Sequence, residues 1–412
     1  MHIRIILTGL LLTLSLLSVA GTIEVCSSCP VSSIKGAIEV ASPGDTIMIK
    51  SGLYNEGNII IDKRLFLFGE DFPQIDGDGQ YEIFTVTADS VWIRGIQFQN
   101  ISVNYIEDRA AIDLVNCTGC VIEGNKIINS FFAIYLQRSS NCIIRDNFIQ
   151  GDAKQEMSSG NAIHAWYCDS LVIERNIVMN HRDGIYLEFV DDSRIEENTS
   201  KNNLRYGLHF MFSDRDQYLN NIFESNGAGV AVMFSKYIKM NGNIFKKNWG
   251  TAAYGLLLKE ITDGEIVGNI FSENTSGIYA ESASRMMING NDFIRNGWAL
   301  KILGSCVDNT FSENNFISNT FDLVTNASTN SNTYINNYWS DYAGYDLDQD
   351  GFGDVPHRPI KLFSYVVATV PESIVLLRSL FVDVINFAES VTPVFSPESL
   401  TDEKPIIRRI LR

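Results

Sequence analysis

Residues 198–234 read NTSKNNLRYGLHFMFSDRDQYLNNIFESNGAGVAVMF, a segment in which an Asn-led unit of about 22 residues occurs and then begins again at Asn221. Outward from it the unit recurs: NIVMNHRDGIYLEF from Asn176, NIFKKN from Asn243, NIFSENTSGIYAES from Asn269 and NDFIRNGWALKI from Asn291. The leading asparagines run Asn125, Asn147, Asn176, Asn198, Asn221, Asn243, Asn269, Asn291, Asn315 and Asn337, at steps between 22 and 29 residues. A fixed period of this size means stacked supersecondary units. Each unit holds short alternating runs separated by Asn, Gly and Ser, and none holds a helical stretch of useful length. The pattern predicts an all-β fold, a single-stranded right-handed parallel β-helix whose coils stack about 4.8 Å apart. The repeating Asn then forms a ladder of side-chain amides inside a turn, a structural role rather than a catalytic one.

Aligning the coils on the small residue that opens each strand (Ala133, Ala162, Gly184, Gly207, Gly229, Gly255, Gly277, Ala299) turns the faces into columns. Positions one and three later are apolar in every coil, from Ile134 and Leu136 through Leu208 and Phe210 to Leu300 and Ile302, and make the core. In 203–216, strict alternation places Phe212 with Leu208 and Phe210 on that face. Positions two and four later point outward and are His164/Trp166, Tyr186/Glu188, His209/Met211 and Ala231/Met233 in the middle coils. Imidazole and thioether are soft-metal ligands suited to copper, and clustered aromatics and methionines suit a protein-binding surface. The face is therefore a docking surface, a copper site, or a surface covered by the protein's own loops. Such loops exist, because longer Asn-to-strand steps precede Ala162, Gly255 and Gly207.

The flanks of the repeat carry their own signals. Arg4, the apolar run Ile5 to Leu17 and Ser18-Val19-Ala20 describe a secretory signal peptide over residues 1–20. SIKGAIEVASPGDTIMIKSGLY reads as a capping helix followed by a strand, so the β-helix domain with its N-terminal cap is expected over 21–340. A closing segment at 341–365 contains Asp346, Asp348, Asp350, Gly351, Phe352 and Asp354 at the spacing of a calcium loop, with His357 where a bidentate Glu is usual. Such an ion would clip the end of the solenoid. Residues 366–412 are expected to be a helical tail. Its helix, from Pro371 to Val391, carries Leu376, Leu377, Leu380, Phe381 and Ile385, more apolar surface than one amphipathic stripe needs. Arg378 and Asp383 inside it argue against an unassisted membrane span. The tail is a cap over the open coil, a docking element for a membrane partner, or both.

A net charge of −17 argues against nucleic acid as a partner. The seven cysteines are an odd count for an oxidising compartment and leave at least one thiol outside any disulfide. Cys26 and Cys29 form a CxxC that can close as a local disulfide; Cys117 and Cys120 form a second one too far away to make a zinc site with the first by spacing alone.

NAIHAWYC (161–168), HRDGIYLEFV (181–190), NLRYGLHFMFS (203–213), NGAGVAVMFS (226–235), YGLLLKE (254–260), NYWSDYAGYDLDQDGFGD (337–354) and VLLRS (375–379), taken in order, resemble the NosD family of nitrous oxide reductase maturation proteins. The resemblance implies a periplasmic accessory protein at the outer face of the inner membrane. Its partners would be an ABC transporter of permease and ATPase, together with nitrous oxide reductase or a copper chaperone, and its task the assembly of the copper-sulfur centre. It implies copper binding without a ligand set, and membrane association mainly through the permease. The rival class is a secreted carbohydrate-active enzyme, a polysaccharide lyase or epimerase. That chemistry usually wants two converging carboxylates, whereas Asp191 and Asp192 are adjacent on an extended run and HRD (181–183) offers only a base and a cation.

Overall fold

The computed structural model describes residues 20–101, 103, 108–250, 252–326, 329, 331–391 and 400–411; the expected signal peptide lies outside these apart from Ala20. The chain winds as a right-handed parallel solenoid of about 13 turns. Its three sheets hold 14, 12 and 13 strands, and successive strands of each sheet come from successive coils. One coil runs Tyr206–Met211, Gln217–Leu219, Ile222–Glu224 and on to Ala228–Met233.

Strand register matches the columns read from the sequence. Ile185 pairs with Leu208, Tyr186 with His209, Leu187 with Phe210 and Glu188 with Met211, and Met211 pairs in turn with Met233. The core columns, Ile134 and Leu136 through Leu208 and Phe210 to Leu300 and Ile302, are all buried. Each three-residue strand of the third sheet turns one side chain inward, and from Phe223 through Phe245, Phe271, Phe293 and Phe316 to Trp339 these rings stack at centroid separations of 4.0 to 5.4 Å.

The asparagine ladder exists and is buried. Asn221 Oδ1 accepts from the backbone N–H and the side-chain amide of Asn198, both at 3.0 Å, while its own amide donates to Asn243 Oδ1 at 3.0 Å and to the carbonyl of Ile195 at 2.8 Å. The residue before each rung adopts left-handed backbone, as at Asn220 (φ 54°), so the chain turns between two sheets in two residues. The ninth rung differs from the expected one. Asn314, not Asn315, links Asn291 to Asn337, and Asn315 opens the next strand instead. A second ladder that the leading-Asn pattern does not reveal runs through Asn203, Asn226, Asn248, Asn274, Asn296 and Asn319.

Phe212 corrects the alternation argument. Its φ of 50° breaks the extended run, so the ring turns out to the surface and is exposed rather than joining Leu208 and Phe210 inside.

The N-terminal end is closed by helix α1, Ile34–Val40, which buries Ile34, Ala37 and Ile38. Ser33 Oγ caps it, and the Glu56 carboxylate accepts from the N–H groups of Ile34 and Lys35 at 2.8 and 3.0 Å, meeting the positive end of the helix. At the other end the helix expected from Pro371 to Val391 is divided. Helix α2 spans Leu362–Thr369, a 3-10 segment spans Pro371–Leu376, and helix α3 spans Leu380–Val391. Residues 400–411 then leave the helical tail and return to the solenoid. Asp402 enters the ladder as its last rung: its carboxylate accepts from the N–H groups of Asn336 and Asn337, the Asn337 amide and Trp339 Nε1 at 3.0 to 3.1 Å. Among the described residues no helix is long and apolar enough to cross a membrane.

Candidate functional site

The outward column of the 12-stranded sheet is a continuous run of rings. Tyr135, His164, Tyr186 and His209 follow one another at centroid separations of 4.6, 4.7 and 4.9 Å, and Tyr206 closes on His209 at 4.8 Å. Self-covering removes much of the column from solvent: His209 is 6% exposed, and Ala231 is buried. His209 is covered by Tyr186 of the preceding coil and by Tyr206 and Arg205 of its own, against the expectation of an open face. Asn161, at the end of the insertion before Ala162, reaches His164 Nδ1 at 3.5 Å.

Burial pushes both imidazoles down to about 3, with Arg182 adding to the shift at His164 and Arg205 and Arg182 at His209. Both are neutral rings at physiological pH. Arg205 Nη2 lies 3.4 Å from His209 Nδ1. A guanidinium has no acceptor, so Nδ1 offers its lone pair and the proton sits on Nε2, which is buried without a hydrogen-bond partner. Tyr186 separates the two imidazoles, so they do not converge on one ion. Cationic Arg205 beside His209 further disfavours a metal cation there. Glu188, Met211 and Met233 make up the next outward column and are half-buried. Met211 and Met233 are direct register partners, which leaves thioethers rather than imidazoles as the soft donors at the surface.

The HRD segment is structural. His181 is buried and pushed down to about 4. Asp183, fully buried at its side chain, is held by Arg205 through two hydrogen bonds of 3.1 and 2.8 Å. Asp191 and Asp192 are both engaged by Arg215, at 3.2 and 2.7 Å.

On the tail, α3 presents two faces. Val382 is buried in a small cluster with Phe321, Phe363 and Val367, and Leu377 and Ile385 pack against that cluster. Those two residues, expected to face a partner, instead fasten the tail to the solenoid. Leu376 is exposed, as are Leu380 (78%), Phe381, Val384 and Phe387 (70%). Positions 380, 381, 384 and 387 share one helical face.

Residues 148–344 match the family described as periplasmic copper-binding protein (NosD), and residues 19–234, just over half of the chain, match the family described as protein of unknown function (DUF1565). A probable ABC transporter binding protein NosD of Pseudomonas aeruginosa is 29% identical over 371 residues, 85% of this chain and 86% of the relative. A protein of the same description from Stutzerimonas stutzeri is 24% identical over 373 residues, 86% of this chain and 85% of the relative. The chain belongs to the second of these families and, on the NosD match and the two relatives together, is a NosD-type protein. Among solved structures, the Streptococcus pneumoniae surface adhesin PfbA superposes with a TM-score of 0.55 at 12% identity over 79% of this chain and 92% of its own, a likeness of fold alone.

In this NosD-type chain the calcium-like loop brings Asp346, Asp348 and Asp350 together, one oxygen of each lying within 4.8 Å of the others. Asp354 is turned back onto the N–H of Leu347 at 2.6 Å. The Phe352 N–H donates to Asp350 at 2.8 Å. His357, at the position of the usual glutamate, packs against Trp339 with ring centroids 5.0 Å apart and planes tilted by 37°, and burial pushes it down to about 4. The donor set is thus three carboxylates rather than the full series expected.

The NosD-type chain closes Cys26 and Cys29 as a disulfide, while Cys117, Cys120, Cys142, Cys168 and Cys306 are free and buried. Cys117 and Cys168 bond the carbonyl two residues back, as Ser139, Ser213 and Ser235 do at the same turn in other coils, and Cys142 does likewise in the column that holds Ser193. A thiol there replaces a hydroxyl, and no metal is needed to explain it. Tyr135 was recoverable from the sequence, being the residue that the aligned columns place beside His164. Arg205 and Asp183 were not, since neither occupies an outward strand position.

Proposed function

We propose that this NosD-type protein works in the periplasm as a docking scaffold for an ABC transporter, serving assembly of the copper-sulfur centre of nitrous oxide reductase. The observation that carries this reading is the apolar face of α3, with Leu380, Phe381, Val384 and Phe387 presented outward on a helix whose opposite face is anchored. A permease groove of matching apolarity covers such a face by the helix-in-groove mode. The matched relatives bear the name of transporter binding proteins along nearly their whole length, which supports the same partner. The engagement of Asp183, Asp191 and Asp192 by arginines supports a scaffold rather than a lyase or epimerase.

Copper enters as cargo. Met211 and Met233, on adjacent rungs beside Glu188, are the soft donors open to it, and thioethers favour the reduced ion. The Asp346, Asp348 and Asp350 loop takes calcium as a clip at the end of the solenoid. Full-length Leu380→Ser/Phe381→Ser/Val384→Ser/Phe387→Ser tests the docking reading. It is expected to keep its fold and to lose at least ten-fold of its binding to vesicles carrying the permease and ATPase. Unchanged binding would leave the tail as a cap only.

A further inference from the structure

Beside the imidazole column, at the corner where the 12-stranded sheet ends, lies a ridge that strand alternation conceals. Tyr167, Phe189, Phe212 and Phe234 occupy the same position in four consecutive coils, and their rings stack at 4.5, 5.0 and 4.9 Å with planes within 18° of parallel. All four have left-handed backbone, φ between 50° and 55°. Bulky residues rarely adopt that conformation, whereas Asn and Gly do so readily. Coils on either side obey the usual preference for polar residues, with Arg138, Glu260 and Ser282 at the equivalent left-handed position. Three of the rings are exposed and Phe189 is half-buried, so no core burial compensates for the unfavourable backbone.

Because each inner ring is covered on both faces by its neighbours, the ridge shows ring edges to solvent. It offers little flat surface on which a sugar could lie. One flank is the column Trp166, Glu188, Met211 and Met233, apolar and polarisable apart from the Glu188 carboxylate. The other flank is acidic beside the first three rings: Asp169, Asp191 and Asp214 stand on three successive rungs, with Asp169 and Asp191 in direct register and the Asp214 N–H donating to Asp191 at 2.9 Å, and Lys236 takes the rung of Phe234, its N–H donating to Asp214 at 2.8 Å. Arg215 pairs with Asp191 and its neighbour Asp192; Asp169 and Asp214 have no ion pair among the described residues. Stacked carboxylates repel one another, and an incoming cation relieves this.

We infer that this ridge is a second docking surface, built for a partner protein that lays a short extended segment of apolar and lysine- or arginine-bearing residues along it. The ridge is about 14 Å long, which matches four or five residues of extended chain at about 3.3 Å each. Aromatic anchors beside a charged rim are the composition of an interface centre. The inference rests on the scaffold reading and adds to it a surface, spatially separate from α3, for a soluble partner.

The test places p-benzoylphenylalanine at position 212 of the full chain in its native host, irradiates, and maps the adduct by peptide sequencing. The expected product is a peptide of another protein carrying Lys or Arg. That adduct should fall at least ten-fold on Asp169→Asn/Asp191→Asn/Asp214→Asn substitution and in high salt. In parallel, purified Phe189→Asn/Phe212→Asn should match or exceed the wild-type Tm, since Asn suits left-handed backbone, while a photoprobe at position 234 loses its adduct. An adduct to the protein itself, to glycan or to lipid, or no adduct at all, overturns the inference, and so does a Tm drop of more than about 5 °C, which would make the rings structural. Vesicle binding through α3 stays intact in the ridge variants; its loss in the tail variant alone reports on the transporter reading, so the two failures are distinguishable.

Discussion

Replacing Asp402 by alanine should open the C-terminal end of the solenoid without unfolding the rest. Its carboxylate, fully buried, supplies the acceptors that an eleventh ladder asparagine would supply to Asn337 and, in addition, accepts from Trp339 Nε1 at 3.0 Å and the Asn336 N–H at 3.1 Å. Alanine leaves the Asn336 and Asn337 N–H groups and the Trp339 indole N–H without a partner, while the Asn337 amide keeps the Phe311 carbonyl at 2.9 Å. An orphaned buried donor costs about 1–3 kcal/mol, so the three together come to about 3–5 kcal/mol once partial hydration at the open end is allowed for. Coils interact mainly with their neighbours, and the loss should therefore appear as local fraying. Hydrogen exchange read by mass spectrometry is the assay. Amides in Thr333–Trp339 and in 402–410 should exchange about 150 to 5,000 times faster, at about 1.4 kcal/mol per decade, while those of the middle coils keep their protection. Asp402→Asn, which retains one acceptor oxygen for the ladder, should show less than half of the effect in free-energy terms. Unchanged exchange at 333–339 in the alanine variant, or equal damage from asparagine, would refute the role assigned to the carboxylate.

Phe210→Ala should lower stability by about 3–5 kcal/mol in urea titration, because the ring is fully buried and stacked on Tyr218 at 4.4 Å, and its removal leaves a cavity in a closed stack. His209→Phe should outperform the wild type in acid. The imidazole is held down to about 3 in the fold against about 6.5 unfolded, so below pH 6.5 the unfolded chain takes up the proton and the wild type loses stability as pH falls toward 3. The advantage of phenylalanine should grow by up to about 1.4 kcal/mol per pH unit below 6.5, and a gap that does not widen between pH 7.5 and 5 would contradict the buried neutral ring. Calcium at 100 times its Kd should stabilise the wild type by about 2.7 kcal/mol, and Asp348→Asn/Asp350→Asn should remove that response; equal thermal shifts in both proteins would leave the loop an acidic turn without an ion.

The sequence by itself determined the coil, its period and its core columns. Parallel stacking repeats the same environment every turn, so Leu208, Phe210 and their counterparts must be apolar in every coil, and a ladder amide such as Asn221 must be an amide in nearly every one. Local repetition writes the fold into the chain. It did not determine which outward residues meet solvent. His209 occupies an outward position and is nonetheless buried, because Tyr186 and Tyr206 come from different coils and Arg205 reaches it across the strand's entry. Nor could alternation foresee the ridge, since one left-handed residue at Phe212 reverses the sense of in and out. The placement of Asp402 was the least legible of all: it completes a ladder whose previous rung lies 65 residues earlier in the chain. Only closure of the chain end upon the stacked coils brings that carboxylate to the donors that need it.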